Sequence, residues 1–125
     1  MKLNITLPWP PSSNTYWRYV NNRVITSKKA REYKDLILKL SYTWGNVLFH
    51  EERLFIDIKA HPPDKRKRDL DNLLKVTIDA IASTGIFQND SQIDKLIITR
   101  EHEIKPGTLK VEISKITTPQ MGDGL

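Results

Sequence analysis

The chain has 125 residues, no cysteine and a formal net charge of +5 at pH 7. That length supports one buried core, and the missing cysteines exclude disulfides, thiolate metal sites and cysteine nucleophiles together, in keeping with a reducing cytoplasm. No apolar run approaches the roughly 18 residues of a bilayer span, and MKLNITLPWPP lacks the apolar stretch of a secretory signal, so no membrane partner is expected. The positive charge is uneven. Met1 to Lys34 carries seven Lys or Arg against the single acid Glu32, and Lys65 to Arg68 forms a second cluster. A polyanion is the expected partner, nucleic acid ahead of membrane, because no basic amphipathic helix stands out.

In chain order, Leu3, Ile5 and Leu7 alternate with polar residues and predict a strand that Pro8 stops. Tyr16 to Thr26 reads as a ribbon of two short strands turning at Asn21-Asn22, since Asn tolerates positive φ. Ser27 can cap a helix whose buried face is Ala30, Tyr33, Ile37, Leu40 and Trp44, with Leu36 filling it, ended by Gly45 and Asn46. Leu54, Ile56, Ile58 and Ala60 alternate along a further strand. After Pro62-Pro63 and the charge run, a second helix starts near Asp69, buries Leu70, Leu73, Leu74, Thr77, Ile78 and Ile81, and closes at Gly85. Leu96 to Ile104 and Leu109 to Ile116 predict a hairpin around Lys105-Pro106-Gly107. The expected fold is α+β, a small mixed or antiparallel sheet with two main helices packed on it. Residues 1–116 are expected to form a single domain and 117–125 a flexible tail.

The stretch KRKRDLDN, residues 65–72, sets four cations against two carboxylates. Residues two apart on a helix point about 200° apart, so Asp69 and Asp71 converge only if Asp69 is still extended or is the N-cap. Asp71 and Lys75 share a face, and Asp90 follows in the polar loop IFQNDSQID. Converging carboxylates repel by about 4 kcal/mol for a pair about 4 Å apart, and a divalent cation relieves this. Oxygen-only ligation favours a hard ion, Mg²⁺ with Mn²⁺ as substitute, whose chemistry suits phosphodiester hydrolysis.

A structural reading stands beside this one. Asp69 can simply cap its helix, Asp71 and Lys75 can form an exposed ion pair worth about 0.3–0.5 kcal/mol, and Asp90 can be a turn residue. The run Lys65, Arg66, Lys67 and Arg68 is either a solvated loop or a phosphate-binding surface, extended by Arg18, Arg23, Lys28, Lys29 and Arg31. Trp9, Tyr16, Trp17 and Tyr19 suit packing better than base stacking, and His50, His61 and His102 have no motif spacing.

The segments LPWPPSSNTYW, PPDKRKRDLDNLLKVTIDAI and GIFQNDSQI, in that order, resemble the RusA family of Holliday junction resolvases of bacteria and their phages. The similarity covers about Leu3 to Ser114. The resemblance implies that Asp69, Asp71 and Asp90 are metal-binding catalytic acids, that Lys75 is the essential lysine and that Arg68 contacts DNA, with Asn14 and Asn72 supporting. An acid often precedes the last of these aspartates in the family; here the position is Asn89. Further implied are a Mg²⁺-dependent homodimer, four-way junction DNA as partner, paired nicks in opposed strands during recombination and repair, and a cytoplasmic, nucleoid-associated location. The competing expectations are a non-catalytic branched-DNA-binding accessory protein, a nuclease of other specificity, and a structural protein that recruits an acidic partner.

Overall fold

A computed structural model describes residues 2–12 and 17–116; Asn14, Tyr16 and the expected tail 117–125 lie outside the described residues. Strand β1 (Lys2–Pro8) buries Leu3, Ile5 and Leu7 on one face and ends at Pro8, as the alternation predicts. Strands β2 (Trp17–Val20) and β3 (Arg23–Thr26) form a separate two-stranded ribbon. Its turn is Asn21-Asn22, both at positive φ, the tight hairpin turn that matches strand twist.

Helix α1 (Lys28–Ser41) starts where Ser27 Oγ accepts the N–H of Ala30 at 3.2 Å. Ala30, Tyr33 and Ile37 are buried, and the Tyr33 hydroxyl donates to the Pro8 carbonyl at 2.6 Å, pinning α1 to the end of β1. Two expectations need correcting. Leu36 is 44% exposed and does not fill the core face. The helix ends at Ser41 rather than at Gly45, because the next turns tighten: Tyr42, Thr43 and Trp44 bond three residues back while the Ser41 and Thr43 hydroxyls occupy carbonyls of the last turn.

Strand β4 (Leu54–His61) is followed by helix α2 (Leu70–Ala82), a single 3₁₀ turn (Asp90–Gln92), and strands β5 (Ile93–Arg100) and β6 (Thr108–Lys115). On α2, Val76 and Ala80 are buried in addition to Leu73, Thr77, Ile78 and Ile81, whereas Leu70 and Leu74 are half-buried.

The sheet order is β1-β6-β4-β5, so the expected hairpin between the last two strands does not form. β5 runs parallel to β4, from Leu54 opposite Ile93 to Ala60 opposite Arg100, and β6 lies antiparallel between β1 and β4. The cause is the helix between β4 and β5. A helical crossover returns the chain parallel to the strand it left, and residues 101–107 then pass over the end of β4, with Glu101 N bonded to Ala60 O at 2.8 Å and Ile104 N to Pro62 O at 3.0 Å. The apolar pattern agrees: Leu109, Val111 and Ile113 of β6 are at most 2% exposed, as a central strand requires, while Leu96 of the edge strand β5 is 39% exposed.

Both helices cover one face of the sheet. Ala30 packs on Val76 and Lys34 pairs with Asp79 at 2.9 Å, so contacts advance together along both helices. Their N-terminal ends therefore lie at the same end of the molecule. Gly107 fits only as glycine: its φ is +101°, and an added Cβ would lie 2.8 Å from Trp9 Cβ.

Candidate active site

The charge run sits in the loop that leaves β4 and enters α2. Asp64 organises it. Arg66 donates to Asp64 from its backbone at 2.9 Å and from its guanidinium at 3.1 Å, and Arg68 Nη1 donates to Asp64 Oδ1 at 2.7 Å. The Arg68 guanidinium also lies 5.5 Å from the centroid of the Trp9 ring, and its carbonyl accepts Arg100 Nη2 at 2.5 Å. Two of the four cations thus stiffen the loop, and Lys65 and Lys67 remain exposed. Sequence reasoning missed Asp64 and Arg100. Asp64 had a local signal, an acid two and four residues before its arginines; Arg100, 32 residues from Arg68, had none.

Arg68 first, and Arg66 second, hold the Asp64 carboxyl well below the usual carboxylate range. A folded value below the unfolded one means the pairing adds stability above the unfolded pKa and loses it only as pH falls through the folded pKa. We therefore expect the Asp64 carboxyl ¹³C resonance to stay flat from pH 7 to about 4, the ordinary Asp value, and to move only in stronger acid. A midpoint near the ordinary value would mean that the ion pairs do not hold the loop.

Asp69 is the extended N-cap of α2, and its Oδ1 accepts the N–H of Asp71 at 3.0 Å. The capping reading of Asp69 is correct, and it is compatible with the other, because the cap uses one carboxylate oxygen. Asp71 and Lys75 are exposed and do not pair with each other. Among the described residues, Asp69, Asp71, Lys75 and Asp90 make no ion pair at all, whereas Asp64, Asp79 and Asp94 are all bridged. Asn72, also exposed, faces an open groove of about 570 Å³ bounded by Trp9, Pro10, Pro63, Lys67 and Asp69.

Asp90 opens the 3₁₀ turn. Asn89 caps that turn by accepting Ser91 N at 2.9 Å, and the buried Gln92 side chain accepts Gln88 N at 2.7 Å and Asn89 N at 2.8 Å while donating to Glu52 O at 2.8 Å. Asn and Asp cap equally well, so Asn89 in place of an acid keeps the turn.

The expected convergence of three acids within one chain does not occur. Arg100 holds the carbonyl next to Asp69 at the C-terminal end of β5, and Arg53 holds Ser91, next to Asp90, at the N-terminal end. The eight residues of β5 separate them, about 23 Å at roughly 3.3 Å per residue. Among the described residues no group of three or more acidic or histidine side chains is placed to hold a metal ion. The parallel direction of β5 is the reason. Asp69 follows the end of β4, and Asp90 precedes a strand that starts beside the beginning of β4.

Of the other expected DNA-binding residues, Arg23 is exposed on β3, and Lys28 and Lys29 are exposed at the start of α1, at the same end as Asp69 and Asp71. Arg18 lies on β2. The donor set at the α2 N-terminus, exposed carboxylates with neither thiol nor imidazole cluster among the described residues, suits a hard divalent ion.

An α+β sheet that offers unpaired carboxylates and a lysine at a helix N-terminus, with cations along the rim, defines a small domain equipped to handle a phosphate polymer. The chain belongs to the RusA family: the family described as Endodeoxyribonuclease RusA matches residues 8–114. Among its relatives is the crossover junction endodeoxyribonuclease rusA of Enterobacteria phage HK97, 34% identical over 110 residues, which are 88% of this chain and 92% of that protein. The crossover junction endodeoxyribonucleases of Escherichia coli K12 and Enterobacteria phage 82 are each 33% identical over 113 residues, 90% of this chain and 94% of theirs.

Proposed function

We propose that the protein is a Holliday junction resolvase, an endodeoxyribonuclease that nicks opposed strands of four-way DNA as a Mg²⁺-dependent homodimer in recombination and repair. The observation that carries this reading is the contrast in charge pairing. Neighbouring acids are bridged, while Asp69, Asp71, Asp90 and Lys75, all within the residues that the family matches, are left without ion pairs among the described residues.

Lys65, Lys67, Lys28 and Lys29 draw the DNA backbone toward the α2 N-terminus. Asp69 and Asp71 would hold the ion, and Mg²⁺ when bound supplies a more acidic water and charge neutralisation at the phosphate. A water oxygen bonds to phosphorus as the bond from phosphorus to the leaving sugar oxygen breaks, and Lys75, one turn beyond Asp71, faces the extra negative charge of that transition state. A two-fold dimer matches the symmetry of paired nicks. No helix among the described residues is long and apolar enough to cross a membrane, and a DNA substrate puts the protein in the cytoplasm with the nucleoid.

The test compares cleavage of four-way, forked, nicked and linear DNA by wild type and Lys75→Ala. Four-way DNA is expected to be cut fastest, with Lys75→Ala binding it normally and cutting about 10²–10³-fold more slowly. Equal rates on all substrates would make the protein a nuclease of other specificity, and tight binding without nicks would make it an accessory protein.

A further inference from the structure

The loop that carries Asp69 into α2 is braced largely from within. Arg66 and Arg68 bond to Asp64, and Arg68 Nη1 also donates to the Arg66 carbonyl at 3.3 Å, partners only two to four positions apart. Beneath the loop, between Asp64, Arg66 and Arg68 on one side and Glu101 and His102 on the other, lies an open hollow of about 330 Å³. Packing against the sheet therefore does not fix the height of the loop. A bond from the sheet spans the gap: Arg100 Nη2 donates to the Arg68 carbonyl at 2.5 Å, across 32 positions of sequence. Its base is firm, because Arg100 closes β5 opposite Ala60 of β4, and the next N–H, that of Glu101, bonds to the Ala60 carbonyl at 2.8 Å.

What Arg100 does not touch is as informative. Asp69 and Asp71 follow the carbonyl it holds by one and three positions, and Glu101 adjoins it, yet Arg100 makes no ion pair among the described residues. A guanidinium near a helix N-terminus also faces the positive end of the helix dipole. An exposed arginine held to one acceptor gives up rotamer freedom as well. The stability of α2 alone would be served better by an acid at this point.

Resting on the function proposed above, we infer that Arg100 is a positioning residue for cleavage: its bond to the Arg68 carbonyl aims the Asp69 carboxylate without neutralising it. The peptide that joins Arg68 to Asp69 is planar, so a fixed carbonyl fixes the plane from which Asp69 sets out at φ −85°. From there Oδ1 caps the Asp71 N–H at 3.0 Å, and the second oxygen is left in one direction for the proposed ion. Without the strut the loop can rock over the hollow and carry Asp69 with it. A displacement of about 1 Å is enough to slow a positioned reaction by about 10²-fold.

The test compares Arg100→Met, which keeps the stem and loses every donor, with Arg100→Lys, which keeps a donor at the tip. The first readout needs neither metal nor DNA. In ¹H–¹⁵N spectra of the metal-free protein, Arg100→Met is expected to move the Asp69 amide signal and to quicken hydrogen exchange at the Asp71 N–H. Amides in the middle of α2 and the unfolding temperature should stay as they are, and Arg100→Lys should restore both signals. The second readout is cleavage of four-way DNA at saturating enzyme. Arg100→Met should cut about 10²-fold more slowly and need more Mg²⁺ for half its maximal rate, with junction affinity and its salt dependence unchanged. Arg100→Lys should recover most of the rate.

Three results would overturn the inference. Unchanged Asp69 and Asp71 signals would mean that the bond does not set the cap. Weaker binding, with a salt slope flatter by about 0.9, would make Arg100 a phosphate contact instead. Faster exchange throughout α2 with a lower unfolding temperature would make it a general support of the fold. If the wild-type protein does not cut four-way DNA, the resolvase reading falls, and the metal-free spectra still decide whether Arg100 holds the cap.

Discussion

Asp71→Asn is expected to lower cleavage of four-way DNA by about 10²–10³-fold or more, with junction affinity unchanged or tighter. The substitution keeps the side chain's shape at an exposed first-turn position of α2, so the fold loses at most the small benefit of a negative charge near a helix N-terminus. What disappears is the charged oxygen that the proposed function assigns to the ion. Because Asp71 is unpaired, its charge also repels the incoming phosphate, and its removal relieves that repulsion. Gel shift in Ca²⁺ and single-turnover cleavage in Mg²⁺ separate the two effects. A proportional loss of binding and cleavage would instead assign Asp71 to DNA contact.

Phe87→Ala is expected to have the largest effect on stability. Phe87 is 2% exposed in the main core, and Phe49 N donates to the neighbouring Ile86 carbonyl at 2.7 Å, tying the segment to the rest of the molecule. Truncating a buried Phe costs about 3–5 kcal/mol, a large share of the roughly 5–15 kcal/mol that a domain has. Thermal unfolding should drop by about 10–20 °C. Asp90 follows three residues later, so cleavage should fall even below the new midpoint, with junction binding by the basic loop largely kept. A change under about 1 kcal/mol would mean that the site collapses without a cavity.

The elements legible in the sequence are those written in local chemistry. Ser27 and Asp69 cap their helices because a short polar side chain reaches an N–H two or three residues on. Asn21-Asn22 turns its ribbon because both residues accept positive φ. The alternation of β1, β4 and β6 marks which faces are buried. The failures lie where distant segments decide. Lys105-Pro106-Gly107 has the composition of a hairpin turn, yet the crossover through α2 places β5 and β6 on opposite sides of β4.

That same crossover hid the most consequential feature of the site. Asp69 and Asp90 lie only 21 positions apart in a motif, and nothing in the spacing tells that a parallel strand holds them at opposite ends. The charge run was half legible. Opposed charges next to each other pointed to a phosphate surface, but Asp64 takes Arg66 and Arg68 as loop supports, leaving Lys65 and Lys67 exposed. Arg68 can act on DNA only from a position fixed by Asp64 and Trp9.

The central claim is best tested on a supercoiled plasmid that extrudes a cruciform, incubated with the wild-type protein with and without Mg²⁺. A first nick releases the supercoiling and the cruciform with it, so only coordinated cuts in opposed strands, made within one bound dimer, give linear plasmid. The account predicts linear product that requires Mg²⁺. Nicked circles alone, or linear product in the absence of any divalent ion, would contradict it.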